Sequence, residues 1–229
     1  MNKKTCNQIM DILAKAYPDA RPELEFSSRY ELLIAVMLSA QCTDRRVNLV
    51  TRVLFDGHNT PETMLELSQE KLEEIIRPCG LFRSKAKHVL SASRDIIEKF
   101  GGQVPDTVEK LQTLQGVGRK TANVVYSVGF GGQAIAVDTH VFRVSNRLGL
   151  ASATTPAKTE EALNRLIDRD LWGKAHHYLI FHGRRICHAQ RPDCDFCPLK
   201  DLCTFYKNGG KLKGTSAKKD DKKAKKQKA

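Results

Sequence analysis

Four cysteines crowd into seventeen residues near the end of the chain, in the order Cys187-x6-Cys194-x2-Cys197-x5-Cys203. The x2 spacing lets two thiolates reach one metal ion or one cluster. Four thiolates gathered without a metal repel one another, so the group reads as a ligand set, and its chemistry suits either zinc or [4Fe-4S]. Cys6, Cys42 and Cys79 are scattered and read as ordinary thiols, Cys42 as a small packed residue. His176, His177, His182 and His188 stand near the group but are not needed as ligands once four thiolates are present.

A second constellation is the run Leu114-Gln115-Gly116-Val117-Gly118-Arg119-Lys120-Thr121-Ala122. Asp106 reads as the cap of a short helix with Val108, Leu111 and Leu114 on its inner side. A second helix follows from Arg119 to Val128, closed by Gly129. Two helices joined by Gly-Val-Gly make a helix–hairpin–helix over residues 106–128. The glycines let the backbone turn sharply and approach a charged partner. The N–H groups at the second helix's start then face outward at a dipole-positive end, which suits a phosphate. No side chain has to read a base, so such binding is largely independent of sequence. The bland alternative is a plain αα-hairpin. Lys120 sits in the first turn of the second helix, where a cation works against the dipole, so stability does not account for it. Partial burial beside Arg119 would favour a neutral amine there, a nucleophile able to form a Schiff base. The alternative is one more phosphate-binding lysine.

The third constellation is Ala134-Ile135-Ala136-Val137-Asp138-Thr139-His140. An apolar run delivers Asp138 to the start of a helix from Thr139 to Leu148, stopped by Gly149. Asp138 reads as that helix's N-cap. The functional reading is a carboxylate that stabilises a developing cationic centre or accepts a proton.

The elements that must position these residues are helical nearly everywhere. Ser28 with Glu31 starts an apolar helix through Leu38 whose apolar character all round predicts central burial. Thr60-Pro61, Ser68 and Thr155-Pro156 read as helix starts. Ser84 reads as the cap of a helix stopped by Gly101-Gly102. A final helix from Trp172 to about Ile186 delivers Cys187. With no alternating strands, the fold class is all-α with many short helices.

The chain has 229 residues, 41% apolar and 28% charged, ordinary for a globular protein. Its longest apolar run, Leu32 to Leu38, is far short of the roughly 20 residues of a membrane span. The N-terminal residues lack the continuous apolar segment of a secretory signal, so a cytoplasmic location is expected and a disulfide framework is not. The net charge of +12 is uneven. From Lys207 to Ala229 ten lysines stand against Asp220 and Asp221, so that segment carries +8. With little to bury, residues 207–229 are expected to be disordered, either holding a polyanion or only solubilising the chain.

Taken together, Leu38-Ser39-Ala40-Gln41, the Gly116–Ala122 run, Val137-Asp138-Thr139-His140-Val141 and the four-cysteine loop resemble the endonuclease III family of DNA base-excision glycosylases, over about residues 26–206. The resemblance implies two helical domains with a DNA cleft between them. One is a six-helix bundle over residues 22-132; the other joins 1-21 to 133-206 and holds a [4Fe-4S] cluster on Cys187, Cys194, Cys197 and Cys203. It further implies a monomer that bends duplex DNA and flips out a damaged pyrimidine. Lys120 then attacks C1′ and expels the base, with Asp138 as the second catalytic residue, and the Schiff base permits strand nicking by β-elimination. Gln41 and Leu81 match the residues that fill the vacated gap, Leu81 as an apolar wedge. Gly116, Val117, Gly118, Arg119, Thr121 and His140 complete the implied DNA contacts, and Arg184, Arg185 and Arg191 are expected to grip backbone phosphate. Gln115 departs from the family, which usually has proline there, and the lysine-rich segment runs past its usual end. Two competing readings are a monofunctional adenine-mismatch glycosylase, which lacks a lysine at position 120, and a non-catalytic iron–sulfur DNA-binding protein.

Overall fold

The computed structural model describes residues 1–210; of the segment 207–229 expected to be disordered, Lys207 ends a short helix and residues 208–210 form a turn, and residues 211–229 lie outside the described residues. Every regular element among the described residues is helical. In chain order they are α1 (Lys3–Ala16), α2 (Arg29–Leu38), α3 (Asp44–Leu54), α4 (Pro61–Met64), α5 (Gln69–Ile76), α6 (Phe82–Phe100), α7 (Val108–Leu111), α8 (Arg119–Phe130), α9 (Thr139–Leu148), α10 (Pro156–Leu166), α11 (Trp172–Arg185) and α12 (Thr204–Lys207), with short 3-10 turns between some of them. None of the described helices is long and apolar enough to cross a membrane.

The chain divides into two compact units. One comprises Asp19–Asp138 and Asp168–His177; the other comprises Met1–Pro18, Thr139–Ile167 and the chain from Tyr178 onward. Residues 133–138 and 168–177 therefore group with the larger helical bundle, where the sequence reading had put them in the cysteine-bearing domain. Two hydrogen bonds account for this. The buried Asn123 amide of α8 donates to the Ile135 carbonyl at 3.0 Å. His176 Nδ1, at the start of α11, donates to the Ala136 carbonyl at 2.7 Å, which places its proton on Nδ1.

The larger unit is built around α2. The Ser28 hydroxyl accepts from the Glu31 N–H at 3.1 Å to start it, and every residue from Tyr30 to Leu38 is buried. Helix α8 packs across α2 through Gly129, where a Cβ would lie 3.0 Å from Leu32 Cδ2. Gly129 is thus an interior contact and not the expected stop. The helix runs on to Phe130 and ends on Gly131, at φ 66°. Two expected caps also move by one to three residues. Thr107, in extended geometry, caps α7 by accepting from the Lys110 N–H, while Asp106 pairs with the Lys110 amine at 3.3 Å. Helix α6 starts at Phe82, directly after a left-handed Leu81, so Ser84 falls inside its first turn. Thr60, Ser68 and Thr155 cap α4, α5 and α10 as the sequence predicts.

Candidate active site

The hairpin between α7 and α8 is shaped by three residues with three different jobs. Gly116 has φ +83°, and a Cβ there would meet His88 Cβ at 2.6 Å. Only glycine satisfies both the backbone and that close approach. Val117 is 5% exposed and packs into the core, and its N–H donates to the Leu114 carbonyl at 3.1 Å. It shapes the turn from inside, with its side chain and its N–H both engaged within the fold. Gly118 has ordinary extended geometry and open space where a Cβ would stand. No side chain caps α8 at Gly118. Helices α2, α3, α4, α5, α7 and α10 all start on a side-chain oxygen that accepts a first-turn N–H. With no capping side chain at Gly118, the positive dipole end of α8 suits an anion from outside.

Arg119 and Lys120 follow on that first turn, both exposed, and Thr121 is half-buried. The partial burial expected for Lys120 is absent. The helix axis carries residues 122, 123 and 125 into the core and turns residue 120 away from it. Asp138, half-buried, ends the buried run Ala134–Val137 in the same unit. Asn123, one turn beyond Lys120, holds that run against α8 through Ile135. Asn123 and His176 are positioning residues that the sequence reading missed. A single polar side chain inside an apolar helical stripe was the available signal for Asn123.

Gln41 and Leu81 are two of the three non-glycine residues with positive φ among the described residues, at 54° and 49°. Such geometry costs a non-glycine residue on the order of 1–3 kcal/mol. Both side chains are exposed, Leu81 to 58%. A buried core leucine, the ordinary alternative for Leu81, is not what the structure shows.

The smaller unit gathers the four cysteines. Cys187, Cys194, Cys197 and Cys203 line one cavity, with Leu148, Ile186, Pro192 and Phe205 among its apolar walls. Burial and the neighbouring thiols push Cys194 and Cys203 above the usual thiol range, and Cys197 to about 11. Among the described residues no three His, Cys, Asp or Glu side chains form a group tight enough for a single metal ion. The donor set is four thiols spread around one shared space.

Arg147 is almost fully buried behind them. It donates to Cys187 Sγ at 3.5 Å and to the His188 and Ala189 carbonyls at 2.6 and 2.8 Å, and its guanidinium stacks on Phe205. The Cys203 thiol donates to the Arg147 carbonyl at 3.3 Å. His182 Nε2 lies 3.6 Å from Cys197 Sγ, and its Nδ1 is hydrogen-bonded with the Tyr17 hydroxyl at 2.8 Å. His140 lies 3.1 Å from the Arg143 guanidinium, which also donates to the Gly183 and Cys187 carbonyls at 2.9 and 3.0 Å. Arg184, Arg185 and Arg191 are exposed, and Arg185 stacks over Phe181.

An all-helical chain with an uncapped Gly-Val-Gly hairpin and a basic first turn has the architecture of a helix–hairpin–helix DNA repair protein. The family model described as HhH-GPD superfamily base excision DNA repair protein matches residues 34–169. The chain is 47% identical over 208 residues to endonuclease III of Rickettsia conorii, covering 91% of this chain and 99% of that protein. It is 47% identical over 204 residues to endonuclease III of Bacillus subtilis, covering 89% and 93%. A solved structure of a trapped endonuclease III–DNA covalent intermediate matches with a TM-score of 0.88 at 45% identity, over 92% of this chain and 100% of that one. The chain belongs to the endonuclease III family.

Proposed function

We propose that this base-excision repair enzyme, a DNA glycosylase with abasic-site lyase activity on duplex DNA, removes oxidised pyrimidines with Lys120 as its nucleophile and Asp138 as its acid–base partner. The observation that carries the assignment is the exposed Lys120 on the uncapped first turn of α8, in the same unit as Asp138. The Lys120 amine forms a bond to C1′ of the flipped nucleotide as the bond from C1′ to the base breaks, and the base leaves with a proton. The C1′–O4′ bond then breaks with its electron pair and a proton going to O4′, and the nitrogen lone pair closes the C1′=N bond of the protonated Schiff base. Removal of a C2′ proton then expels the 3′ phosphate, which is the nick. Asp138 is suited to hold the protons in transit. Because Lys120 is exposed in the free chain, the water-poor setting for the reaction is supplied by the bound DNA.

The Gly118–Thr121 turn takes a backbone phosphate, with Arg119 beside it. Gln41 and Leu81 fill the gap left by the flipped nucleotide, which their exposure and left-handed geometry support. His140, with Arg143, belongs to the same set of DNA contacts. The four thiols around one cavity fit a [4Fe-4S] cluster, and membership of the endonuclease III family, not the donor spacing, supports iron–sulfur over zinc. Cys187, Cys194, Cys197 and Cys203 would hold it, and when bound it would offset the thiolate charge and link the end of α11 to the turns before α12. The enzyme works in the cytoplasm on the nucleoid. Neither competing reading is favoured: a monofunctional adenine glycosylase has no use for Lys120, and a mere binder has no use for Lys120 with Asp138.

Borohydride trapping on a duplex carrying an oxidised thymine tests the assignment. The wild-type chain gives a covalent protein–DNA band and Lys120→Ala gives none, a loss of at least ~10³-fold, with lesion binding retained. A trapped band of undiminished yield in Lys120→Ala would remove Lys120 from its role.

A further inference from the structure

The mechanism leaves one buried cation unused. Lys85, on the first turn of α6, is only 6% exposed. Its Nζ donates to the Leu38 carbonyl at 2.8 Å and to the Cys79 carbonyl at 2.9 Å. These two acceptors belong to different loops. Leu38 ends α2, three residues before Gln41. Cys79 ends a 3-10 turn, two residues before Leu81. Both loops then pass through a left-handed non-glycine residue, at Gln41 and at Leu81.

Stability alone is a poor reason for this lysine. At the start of α6 its charge opposes that helix's dipole, although it complements the end of α2. Burial pushes its amine below the usual lysine range, against the pull of the Cys79 and Cys42 thiols. An apolar side chain of similar volume would keep the packing and leave the Leu38 and Cys79 carbonyls unpaired, a cost to the fold that melting reads separately. What an apolar side chain cannot do is hold two carbonyls from separate loops on one atom.

We propose that Lys85 is a positioning residue that fixes the separation of the two gap-filling loops through the Leu38 and Cys79 carbonyls. The inference rests on the reading that Gln41 and Leu81 fill the gap left by the flipped nucleotide. Two side chains that must enter one gap in a base stack have to be held at a set distance, and misplacement of about 1 Å costs up to ~100-fold in rate. Lys85 touches neither DNA nor the reacting atoms in this assignment. Its effect is therefore confined to substrates that have a gap to fill.

The test compares single-turnover nicking of an abasic site in a duplex with nicking of the same site in a single strand, where no stack has to be opened. Wild type, Lys85→Met, Gln41→Ala and Leu81→Ala are measured side by side, with thermal melting of each. Lys85→Met is expected to lose about tenfold or more on the duplex and to stay within about twofold on the single strand. Equal losses on both substrates would show a merely structural lysine and overturn the inference. So would an unchanged duplex rate in Lys85→Met when Leu81→Ala and Gln41→Ala are slowed. If those two alanine variants keep full duplex activity, the gap-filling reading itself fails and takes this inference with it. Should Lys85→Met not fold, Lys85→Arg is scored by the same duplex-to-single-strand ratio. Its planar fork reaches both carbonyls only in altered geometry, so the ratio is expected to fall; an unaltered ratio overturns the proposal.

Discussion

The hairpin start of α8 and the cysteine cage treat their polar groups in opposite ways. In the cage almost everything is committed internally. Arg147 spreads its donors over a thiol and two carbonyls. His182 is held between Tyr17 and Cys197. At the hairpin, the helix start has no side-chain cap and Lys120 is exposed. A region suited to a resident group, as proposed for the cage, closes around its space, whereas a region that meets duplex DNA presents an uncapped helix start and an exposed cation. Gly116 and Gly118 repeat the contrast two residues apart. One is required by the fold, and the other leaves room for something outside it.

Three measurements break or sharpen that contrast. In the closed region, Cys197→Ala is expected to lose bound iron and visible absorption altogether and to weaken duplex binding by roughly 100-fold. Iron analysis with a binding titration checks this, and full iron occupancy in the variant would mean that the cage does not need its fourth thiol. In the open region the two glycines should part company. Gly116→Ala is expected to cost about 2–3 kcal/mol of stability through its strained φ and its clash with His88. Gly118→Ala is expected to stay within about 0.5 kcal/mol of wild type while losing about tenfold in duplex affinity. Urea melts and fluorescence anisotropy separate the two, and matching destabilisation in both variants would erase the distinction. The smallest effect is expected from deleting residues 211–229. Affinity near physiological salt should fall about threefold, and the slope of log K against log salt should flatten by about 1–3. An unchanged slope would make the segment only a solubilising one.

The sequence announced what is written in neighbouring residues. The caps at Ser28, Thr60, Ser68 and Thr155, the all-round burial of α2 and the helical class follow from local pattern, and the structure bears them out. The failures are places where distant packing decides. Gly129 resembles a stop until Leu32, 97 residues earlier, is seen to need its missing Cβ. Ser84 resembles a cap until the left-handed Leu81 brings the chain into the helix three residues sooner. Lys120 was expected to be partly buried because its use seemed to demand it, but burial depends on which face of α8 meets α2. Lys85 carried no signal at all, since its two acceptors are backbone atoms, one of them 47 residues away.

The tie between Cys203 and Arg147 also sets an order of events during synthesis. The thiol that closes the cage is anchored 56 residues upstream, Thr204 bonds the Leu148 carbonyl across the same distance, and Tyr17 waits for His182, 165 residues later. The bundle of Asp19–Asp138 is nearly continuous, and most of it has left the ribosome long before those partners exist. Helix α1 is made before the bundle, yet the Tyr17 that follows it finds its partner only after the bundle is complete. The four thiols therefore come together only after Cys203 has been made. A transcript truncated before codon 203 would yield a chain with an intact hairpin and no complete cage.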